Sequence, residues 1–402
     1  MIGERPAMQS TEGKRNTGVR TWVSIVGARP QFVKLAPVCR AIEVHNKKPG
    51  VTRIEHRIIH TGQHYDHEVA DLLFVQMRIP QPHHNLAVGS GSHGTQLARM
   101  LARMEPTLNS KRIDWVIVYG DTNSTLAGAL LAARLKLPLA HVEAGCRSDN
   151  LGEPEEQNRI VADHMSQVLL APSESAIENL LREGIGTQND ARKRRNILVG
   201  DVMYDAMLQN LQLADKNSRQ NLEQFEVESR RYYLLTLHRA ENTNDPERLD
   251  AILRAVGTLD LPVLFPVHPR TKQVLADAGI YLNGKVRPIA PLGYLEMLTA
   301  EKHARKILTD SGGVQKEAFY LGIPCVTLRD ETEWPETVAA GANRIAGTTA
   351  ESIREAVRAN HESDWSHATP YGDGRAAQKI VSELFSITEN QSSQEKAIAA
   401  VC

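Results

Sequence analysis

The sequence predicts an α/β protein made of two doubly wound domains, each a parallel sheet covered by helices. Short runs of apolar and β-branched residues alternate with helix-like stretches, which is typical of parallel strands joined by right-handed helical crossovers. The alternation occurs in two successive series, and the second opens on a polar, charged segment at 210–231. A chain of 402 residues is also long for one domain, so two domains are expected.

The first series begins with a strand at 21–26, which ends in the turn G-A-R-P (27–30). A helix follows, because the φ angle of a proline is fixed at a helical value and proline is therefore common at the first helical position. Strands are then predicted at 57–60, 115–119, 139–142, 168–171 and 196–199, with helices between them at 95–108 and 123–135.

The second series predicts strands at 232–237, 263–267, 286–289, 306–309, 325–328 and 343–345. The boundary is expected near Gly200, which gives an N-terminal domain over 21–199 and a C-terminal domain over 200–373. The polar, basic residues 1–20 lack the apolar core of a secretory signal. We expect them and residues 387–402 to be disordered tails.

Composition argues against several classes of protein. The net charge of −1 gives no reason to expect nucleic acid or a membrane surface as a partner. No apolar run approaches membrane-spanning length. The four cysteines are scattered without a C-x-x-C pair, which favours a reducing, cytoplasmic location over a disulfide framework or a zinc site.

Two patterns are typical of cofactor or metal sites, but their contexts do not fit. G-S-G-S-H-G (89–94) matches a dinucleotide fingerprint, yet only a short apolar run precedes it and no acidic residue ends a following strand. His56, His60, His64 and His67 would share one face only in a helix, and this stretch begins as a strand. We therefore expect neither a nicotinamide cofactor nor a bound metal.

The most informative segment is D-S-G-G-V-Q-K-E (310–317), which follows a predicted strand and opens a helix. Glycines at a helix start let a ligand approach the backbone N–H groups, and the helix dipole favours an anion there. Ser311, Gly312 and Gly313 are therefore candidates to bind phosphate, and Glu317 is placed to accept hydrogen bonds from a ribose. A serine-capped helix without a ligand is the alternative interpretation.

Polar side chains follow most of the other predicted strands. The carboxyl ends of parallel strands form the edge where such sheets bind ligands, so we expect a site in the cleft between the domains. The strand ends supply Arg29, Lys34, Gln63, His64, Asp121 and Glu143 in the first domain, and His238 and His268 in the second.

Another carboxylate group comes from the helix start G-E-P-E-E-Q-N-R (152–159). Glu155 and Arg159 are four residues apart, so they share a helix face and can form an ion pair. With Asp121 and Glu143, three carboxylates are expected near one basic patch, and crowded carboxylates separate their pKa values into an acid and a base. An acidic helix start that interacts only with the helix dipole is the alternative.

Nine motifs identify a family that this chain resembles. They are G-A-R-P-Q-F-V-K-L-A-P (27–37), H-T-G-Q-H-Y-D (60–66), G-D-T-N-S-T-L-A (120–127), H-V-E-A-G-C-R-S (141–148), P-E-E-Q-N-R (154–159), L-H-R-A-E-N (237–242), H-P-R-T (268–271), T-D-S-G-G-V-Q-K-E-A (309–318) and P-Y-G-D-G (370–374). In this order they resemble the non-hydrolysing UDP-N-acetylglucosamine 2-epimerases. The resemblance implies the GT-B fold, a homodimer, and a C-terminal helix at 374–386 that packs back on the first domain.

The resemblance also implies a reaction without a cofactor. These enzymes eliminate UDP to form a 2-acetamidoglucal, then add UDP back with the C2 proton on the other face of the sugar. By this resemblance, Asp121, Glu143 and Glu155 are the acid/base groups, and His238 holds the departing diphosphate with Arg29 and Lys34. Arg159 orients Glu155 or meets the sugar, and Gln63 and His64 lie in a loop that forms a second substrate site in bacterial members.

Two positions depart from the usual family pattern. Trp334, in T-E-W-P-E (332–336), stands where an arginine near the nucleotide or sugar is common, and Glu153 stands where an apolar residue is usual. Trp334 and G-D-V-M-Y-D (200–205) are more similar to the branch that acts on UDP-2,3-diacetamido-2,3-dideoxyglucuronate. UDP-N-acetylglucosamine is the first substrate hypothesis, for surface polysaccharide synthesis, and this uronate is the alternative. A GT-B glycosyltransferase is a third, which the three carboxylates disfavour.

Overall fold

The computed structural model describes residues 18–63, 73–109, 112–282, 284–359, 364–365 and 367–401, with residues 391–401 described by backbone only. In these ranges the chain forms two parallel sheets covered by helices, which confirms the predicted α/β class. None of the helices in this part of the chain is both long and apolar enough to cross a bilayer.

The N-terminal lobe is the part built on the first sheet, which has seven strands among the described residues, in the order β3-β2-β1-β4-β5-β6-β7. Its strands are β1 (Val19–Val26), β2 (Arg53–His60), β3 (His84–Asn85), β4 (Trp115–Tyr119), β5 (Leu139–Val142), β6 (Val168–Ala171) and β7 (Arg195–Leu198). Its helices are α1 (Arg29–Asn46), α2 (His93–Asn109), α3 (Asn123–Arg134), α4 (Pro154–Met165) and α5 (Glu174–Arg182).

The C-terminal lobe is built on the second sheet, whose six described strands lie in the order β10-β9-β8-β11-β12-β13. They are β8 (Tyr233–Thr236), β9 (Val263–Pro266), β10 (Val286–Ile289), β11 (Lys306–Thr309), β12 (Cys325–Thr327) and β13 (Asn343–Ile345). The helices from the crossover onward are α6 (Val202–Lys216), α7 (Ser218–Gln224), α8 (Ala240–Thr243), α9 (Pro246–Gly257), α10 (Pro269–Asp277), α11 (Tyr294–Lys302), α12 (Gly312–Tyr320), α13 (Pro335–Ala339), α14 (Ala350–Arg358) and α15 (Ala376–Val401).

The strand order places the ligand edge of each sheet. In both sheets the strands are parallel, and the order in which the chain adds them reverses next to the first strand. This happens between β1 and β4 in one lobe and between β8 and β11 in the other. The loops that leave neighbouring strands at such a point diverge to opposite faces of the sheet and leave a crevice at the carboxyl ends. Both crevices carry the polar residues predicted for the site.

The predicted strands agree with the observed ones to within a few residues, except for β3 and the starts of β1 and β2. β3 has two residues, which is too short for any periodicity to indicate. β1 starts at Val19, so residues 19 and 20 do not belong to a tail as predicted. The rest of the predicted tail, residues 1–17, lies outside the described residues.

The C-terminal helix is longer than predicted. The predicted helix ended at 386 with a disordered tail from 387, and this was wrong, because α15 runs from Ala376 to Val401. Residues 387–401 contain no glycine or proline, and Ile387 and Thr388 are buried against the N-terminal lobe. Trp115 Nε1 donates to Thr388 Oγ1 at 2.8 Å, which ties the helix to the centre of the first sheet.

Candidate functional site

Glu143 follows β5 and lies where the two lobes meet. Its backbone φ is 71°, a left-handed conformation that side chains other than glycine rarely adopt and that is common at functional sites. Its buried carboxylate accepts hydrogen bonds from Lys34 Nζ at 2.5 Å and from Lys316 Nζ at 2.9 Å. Lys34 belongs to α1, whereas Lys316 comes from α12 in the C-terminal lobe.

Two lysines determine the charge of Glu143. Burial by itself would raise the pKa of this carboxyl, but the ammonium groups of Lys316 and Lys34 outweigh burial and lower the pKa to about 2. Glu143 is therefore an anion at neutral pH. Lys34 is thus hydrogen-bonded to Glu143 in the structure. The predicted role of Lys34, which is to bind the diphosphate, stays a prediction.

The turn after β4 brings Asp121 next to Glu143 and requires a glycine. Gly120 has a φ of 59°, and a Cβ atom there would lie 2.7 Å from Lys34 Nζ. His141 Nε2 lies 2.7 Å from the carbonyl oxygen of Gly120, and Asn158 Nδ2 donates to the carbonyl oxygen of Asp121 at 2.8 Å. The backbone that carries Asp121 is thus held from both sides.

Asp121 and Arg159 form an ion pair that is partly open to solvent. The Asp121 side chain is 27% exposed, and Arg159 Nη2 lies 3.0 Å from its Oδ2. The predicted pairing of Arg159 with Glu155 was wrong. Arg159 pairs instead with Glu156, because Glu156 points into the protein from the first turn of α4 whereas Glu155 is partly exposed.

The segment predicted to bind phosphate forms the start of α12, as expected. Ser311 is the N-cap, and its Oγ accepts a 3.5 Å hydrogen bond from the backbone N–H of Val314. The N–H groups of a helix's first turn have no partner within the helix, so those of Gly312 and Gly313 are available to an anion. A Cβ on Gly312 would lie 2.8 Å from Trp334 Nε1, so this turn tolerates only glycine without rearrangement.

Glu317 is buried one turn into α12, together with Glu301 and Tyr294 of α11. Burial raises the pKa of Glu317 to about 7, although the Arg29 guanidinium opposes the rise, and burial also raises the pKa of Glu301. The Glu317 carboxyl interacts with Glu301 and Tyr294, and its Oε1 has no further hydrogen-bond partner among the described residues. A buried acceptor of this kind is what a ribose hydroxyl requires, so the predicted role remains consistent with its position.

His238 lies on the loop after β8, opposite the α12 turn across the sheet edge. Its side chain is half-exposed, and its Nδ1 lies 3.3 Å from Oδ1 of Asp310. The buried Asp310 carboxylate also accepts from the backbone N–H groups of His238 and Arg239, at 3.1 Å each. Asp310 therefore fixes the loop that presents His238.

Gln63 and His268 are the other predicted residues that the structure describes. Gln63 Oε1 accepts a 2.7 Å hydrogen bond from Ser124 Oγ, which fixes the loop after β2 to the start of α3. His268 is exposed at the end of β9. His64 lies outside the described residues.

Trp334 is buried beside the glycine turn at the start of α12. The Lys316 ammonium lies over its ring, 3.8 Å from the ring centroid, which is a cation–π contact. A direct contact of Trp334 with substrate, in place of the usual arginine, stays a prediction. In the structure its ring face contacts Lys316.

A charged network joins the lobes next to this site, and it accounts for the unusual Glu153. Arg329 is buried in the C-terminal lobe, and its Nη2 donates to Glu153 Oε1 at 2.5 Å across the cleft. Arg239 Nη1 lies 3.4 Å from the same oxygen. Glu333 accepts from both arginines at 2.7 Å, so each buried cation is matched by carboxylates.

Sequence reasoning missed Lys316, Glu156 and Asp310 as site residues. All three lie in quoted motifs, but Lys316 was interpreted only as part of a helix that offers backbone amides. No group of three or more His, Cys, Asp or Glu side chains in the described ranges is arranged to hold a metal ion.

Residues 47–385 match the profile of a family described as UDP-N-acetylglucosamine 2-epimerase. A UDP-N-acetylglucosamine 2-epimerase homolog of Methanococcus maripaludis is 45% identical over 368 residues, which cover 90% of this chain and 98% of that protein. The UDP-2,3-diacetamido-2,3-dideoxy-D-glucuronate 2-epimerase of Pseudomonas aeruginosa is 42% identical over 366 residues, which cover 90% and 98%. The crystal structure of Methanocaldococcus jannaschii UDP-GlcNAc 2-epimerase in complex with UDP-GlcNAc and UDP is similar with a TM-score of 0.81 and 43% identity, over 90% of this chain and 99% of that one.

Proposed function

The chain belongs to the UDP-N-acetylglucosamine 2-epimerase family, and on that premise we propose that it interconverts UDP-N-acetylglucosamine and UDP-N-acetylmannosamine without hydrolysing them. The observation that carries the proposal is the contact of Lys316 with Glu143, 2.9 Å long. This contact brings the Glu143 carboxylate of one lobe against α12 of the other, which supports a diphosphate on α12. A sugar whose diphosphate rests on α12 therefore has its C1 and C2 beside Asp121 and Glu143.

The chemistry of the substrate determines the route. The C2–H bond of the sugar is not next to a carbonyl, so direct removal of its proton is prohibitively slow. If UDP leaves from C1 first, positive charge develops on the ring and the C2 proton becomes acidic, and a glucal forms when it is removed. Addition of UDP back to C1, with a proton delivered to C2 from the opposite face, gives the epimer.

Three groups suit the charge changes of this route. The ionised Glu143 stabilises the cationic sugar as the C1–O bond breaks. Asp121 is in contact with the cleft, and Arg159 orients it for proton transfer. Glu155, which is partly exposed in the first turn of α4, is the candidate for the second face.

The leaving group must be held for its return. The first-turn N–H groups of Gly312 and Gly313, with Arg29 and His238, would bind the diphosphate, and Glu317 would bind the ribose. The predicted use of the Ser311 N–H does not fit, because this group already donates to Thr309 Oγ1 at 2.9 Å. Contacts between the lobes, such as Arg329 with Glu153, keep the cleft closed so that UDP and the glucal do not escape.

The diacetamido-uronate 2-epimerase activity is the alternative. Trp334 and Glu153 both depart from the usual pattern, and a relative described by that activity is 42% identical. The same elimination and addition would apply to that sugar.

Turnover of the two sugars tests the proposal. Purified protein is incubated separately with UDP-N-acetylglucosamine and with UDP-2,3-diacetamido-2,3-dideoxyglucuronate, and the products are followed by NMR. We expect UDP-N-acetylglucosamine to give a mixture of two epimers. Turnover of the uronate alone would assign the alternative, and sugar transfer to an added acceptor would indicate a glycosyltransferase.

We also infer that the protein works as a homodimer in the cytoplasm, as the family resemblance implies. Its three described cysteines are buried and unpaired, which is compatible with a reducing compartment. Analytical ultracentrifugation at micromolar concentration should give twice the mass of the chain, and a single monomeric species would contradict the assembly.

A further inference from the structure

Lys316 is a buried lysine with three partners from different parts of the molecule. Its ammonium lies 2.9 Å from Glu143 Oε2, 2.7 Å from Asp201 Oδ2 and 3.8 Å from the centre of the Trp334 ring. A buried ammonium is costly unless its charge is matched and its donors are used. Two carboxylates and a ring face satisfy this requirement.

The partners of Lys316 lie on both sides of the cleft. Glu143 belongs to the N-terminal lobe, Asp201 lies on the crossover just before α6, and Trp334 belongs to the C-terminal lobe. Asp201 is itself fixed by Tyr320, whose hydroxyl donates to it at 2.6 Å. The contact of Lys316 with Glu143 therefore exists only while the lobes are together.

Lys316 and Lys34 provide the positive charges that face Glu143. The titratable and charged groups around this carboxylate are Lys34 from α1, Lys316 and Tyr320 from α12, Cys146 from the loop after β5, and Asp201 through Lys316. Asp121 lies on the neighbouring turn after β4, where Arg159 matches its charge. Burial raises the pKa of both the Cys146 thiol and the Tyr320 hydroxyl, so these two stay neutral. Since Lys34 is in the same lobe as Glu143, Lys316 is the cation that closure adds.

We infer that Lys316 is a positioning residue that fixes the Glu143 carboxylate in its ionised form when the lobes close. The consequence for catalysis rests on the proposed function: the Glu143 carboxylate has both of its lysine partners only when the cleft is closed. Trp334 fits this arrangement, because its ring face packs against the Lys316 ammonium in a cation–π contact.

The protonation state of Glu143 tests the inference directly. Protein labelled with ¹³C at the glutamate carboxyls is titrated by NMR, and Glu143→Gln assigns the signal. In the wild type we expect Glu143 to remain ionised down to at least about pH 4, and in Lys316→Gln its midpoint should rise by one or more pH units. Lys306→Gln is the matched control, because the partners of this buried lysine in the described part of the chain are the carbonyl oxygens of Val357 and Ala359, and it should leave the midpoint unchanged.

Kinetics give a second readout. In Lys316→Gln we expect the acid limb of the kcat profile to move to higher pH, and kcat at pH 7 to fall by about tenfold or more, with UDP affinity changed by less than about threefold. Lys316→Arg should restore the acid limb even if its rate stays low.

Three results would overturn the inference. A wild-type titration midpoint for Glu143 above pH 5 would overturn the inference. This measurement needs no variant, so it decides the question even if Lys316→Gln fails to fold. An unchanged midpoint in Lys316→Gln, or an equal shift in Lys306→Gln, would also overturn it. Absence of epimerisation by the wild type would refute the proposed function instead, and the titration would still decide the role of Lys316.

Discussion

Asp121 is the residue on which the proton transfer of the proposed reaction depends most. We expect Asp121→Asn to lower the rate of epimerisation by about 100-fold or more, because an amide cannot exchange a proton with C2. UDP affinity should remain measurable, since the amides of α12 are untouched. Rates from NMR and UDP binding from calorimetry check both parts. Asp250→Asn is the control, because this carboxylate on α9 is partly exposed and paired with an arginine as Asp121 is. Undiminished turnover in Asp121→Asn would remove Asp121 from the mechanism.

Glu301 and Glu317 predict a dependence of stability on pH. Burial raises the pKa of Glu317 to about 7 and raises that of Glu301 too, so the folded protein binds these protons more tightly than the unfolded chain. The free energy of unfolding should therefore fall as pH rises from about 4.5 to about 7. Glu301→Gln removes one of the two acids and should make the fall smaller.

Thermal unfolding at pH 5 and pH 8 measures this effect. Glu351→Gln, on an exposed turn of α14, is the matched control and should follow the wild type. Parallel profiles for the wild type and Glu301→Gln would show that the buried carboxyls do not determine this dependence.

Individual site residues were predictable from sequence only where the strand ends specify them. Asp121, Glu143 and His238 follow buried strands, so their place at the sheet edge follows from topology. The partner of Arg159 was not predictable, because positions three and four residues away on a helix are both close enough to pair. Burial selects Glu156, and burial depends on the packing of α4 against its neighbours.

Among the helices, α15 depends on a buried cap from another helix. Asp205 of α6 accepts hydrogen bonds from the backbone N–H groups of Ala376 and Ala377, at 3.0 and 2.8 Å. Asp205→Ala should lower the free energy of unfolding by about 2 kcal/mol, since two buried N–H groups lose their partner. Urea unfolding measures the loss.

A helix cap on the surface is the matched control for this prediction. Asp245→Ala removes the N-cap of α9, which accepts from Glu247 and Arg248, and should cost about 1 kcal/mol or less. Limited proteolysis should also cut the C-terminal region faster in Asp205→Ala alone. Equal losses in both variants would contradict a special role for the buried cap.

Elements were predicted best where an apolar run lies between two turns. The buried strands of both sheets agree with the structure, because continuous apolar runs between turns are typical of parallel strands. β3 was missed because two residues carry no period. The end of α15 was misjudged because its polar sequence is compatible with a tail or a helix, and contacts such as that of Thr388 with Trp115 decide between them.

At the scale of the whole molecule, the charged network at Glu153 favours closure of the lobes. Glu153→Leu removes the acceptor for Arg329 and Arg239, and we expect the lobes to separate more readily. UDP affinity should weaken by about tenfold, because a smaller fraction of the protein is in the binding-competent state. Small-angle scattering without UDP should show a larger radius of gyration.

Glu105→Leu, on an exposed position of α2, is the control for Glu153→Leu and should change neither quantity. An unchanged radius with unchanged UDP affinity in Glu153→Leu would show that this network does not influence closure. The two-lobed architecture itself was predictable from the repeated alternation of strands and helices. The contacts of Glu143 and Glu153 across the cleft were not, because they join residues 86 to 176 positions apart and no local pattern reports them.

The central claim is that UDP leaves the sugar and returns to it, while the C2 proton is lost and replaced. Incubation with UDP-N-acetylglucosamine in deuterated water, followed by ¹H NMR, tests it most directly. We expect deuterium at C2 of both epimers once equilibrium is reached. Epimers that form while the original hydrogen stays at C2 would contradict the account.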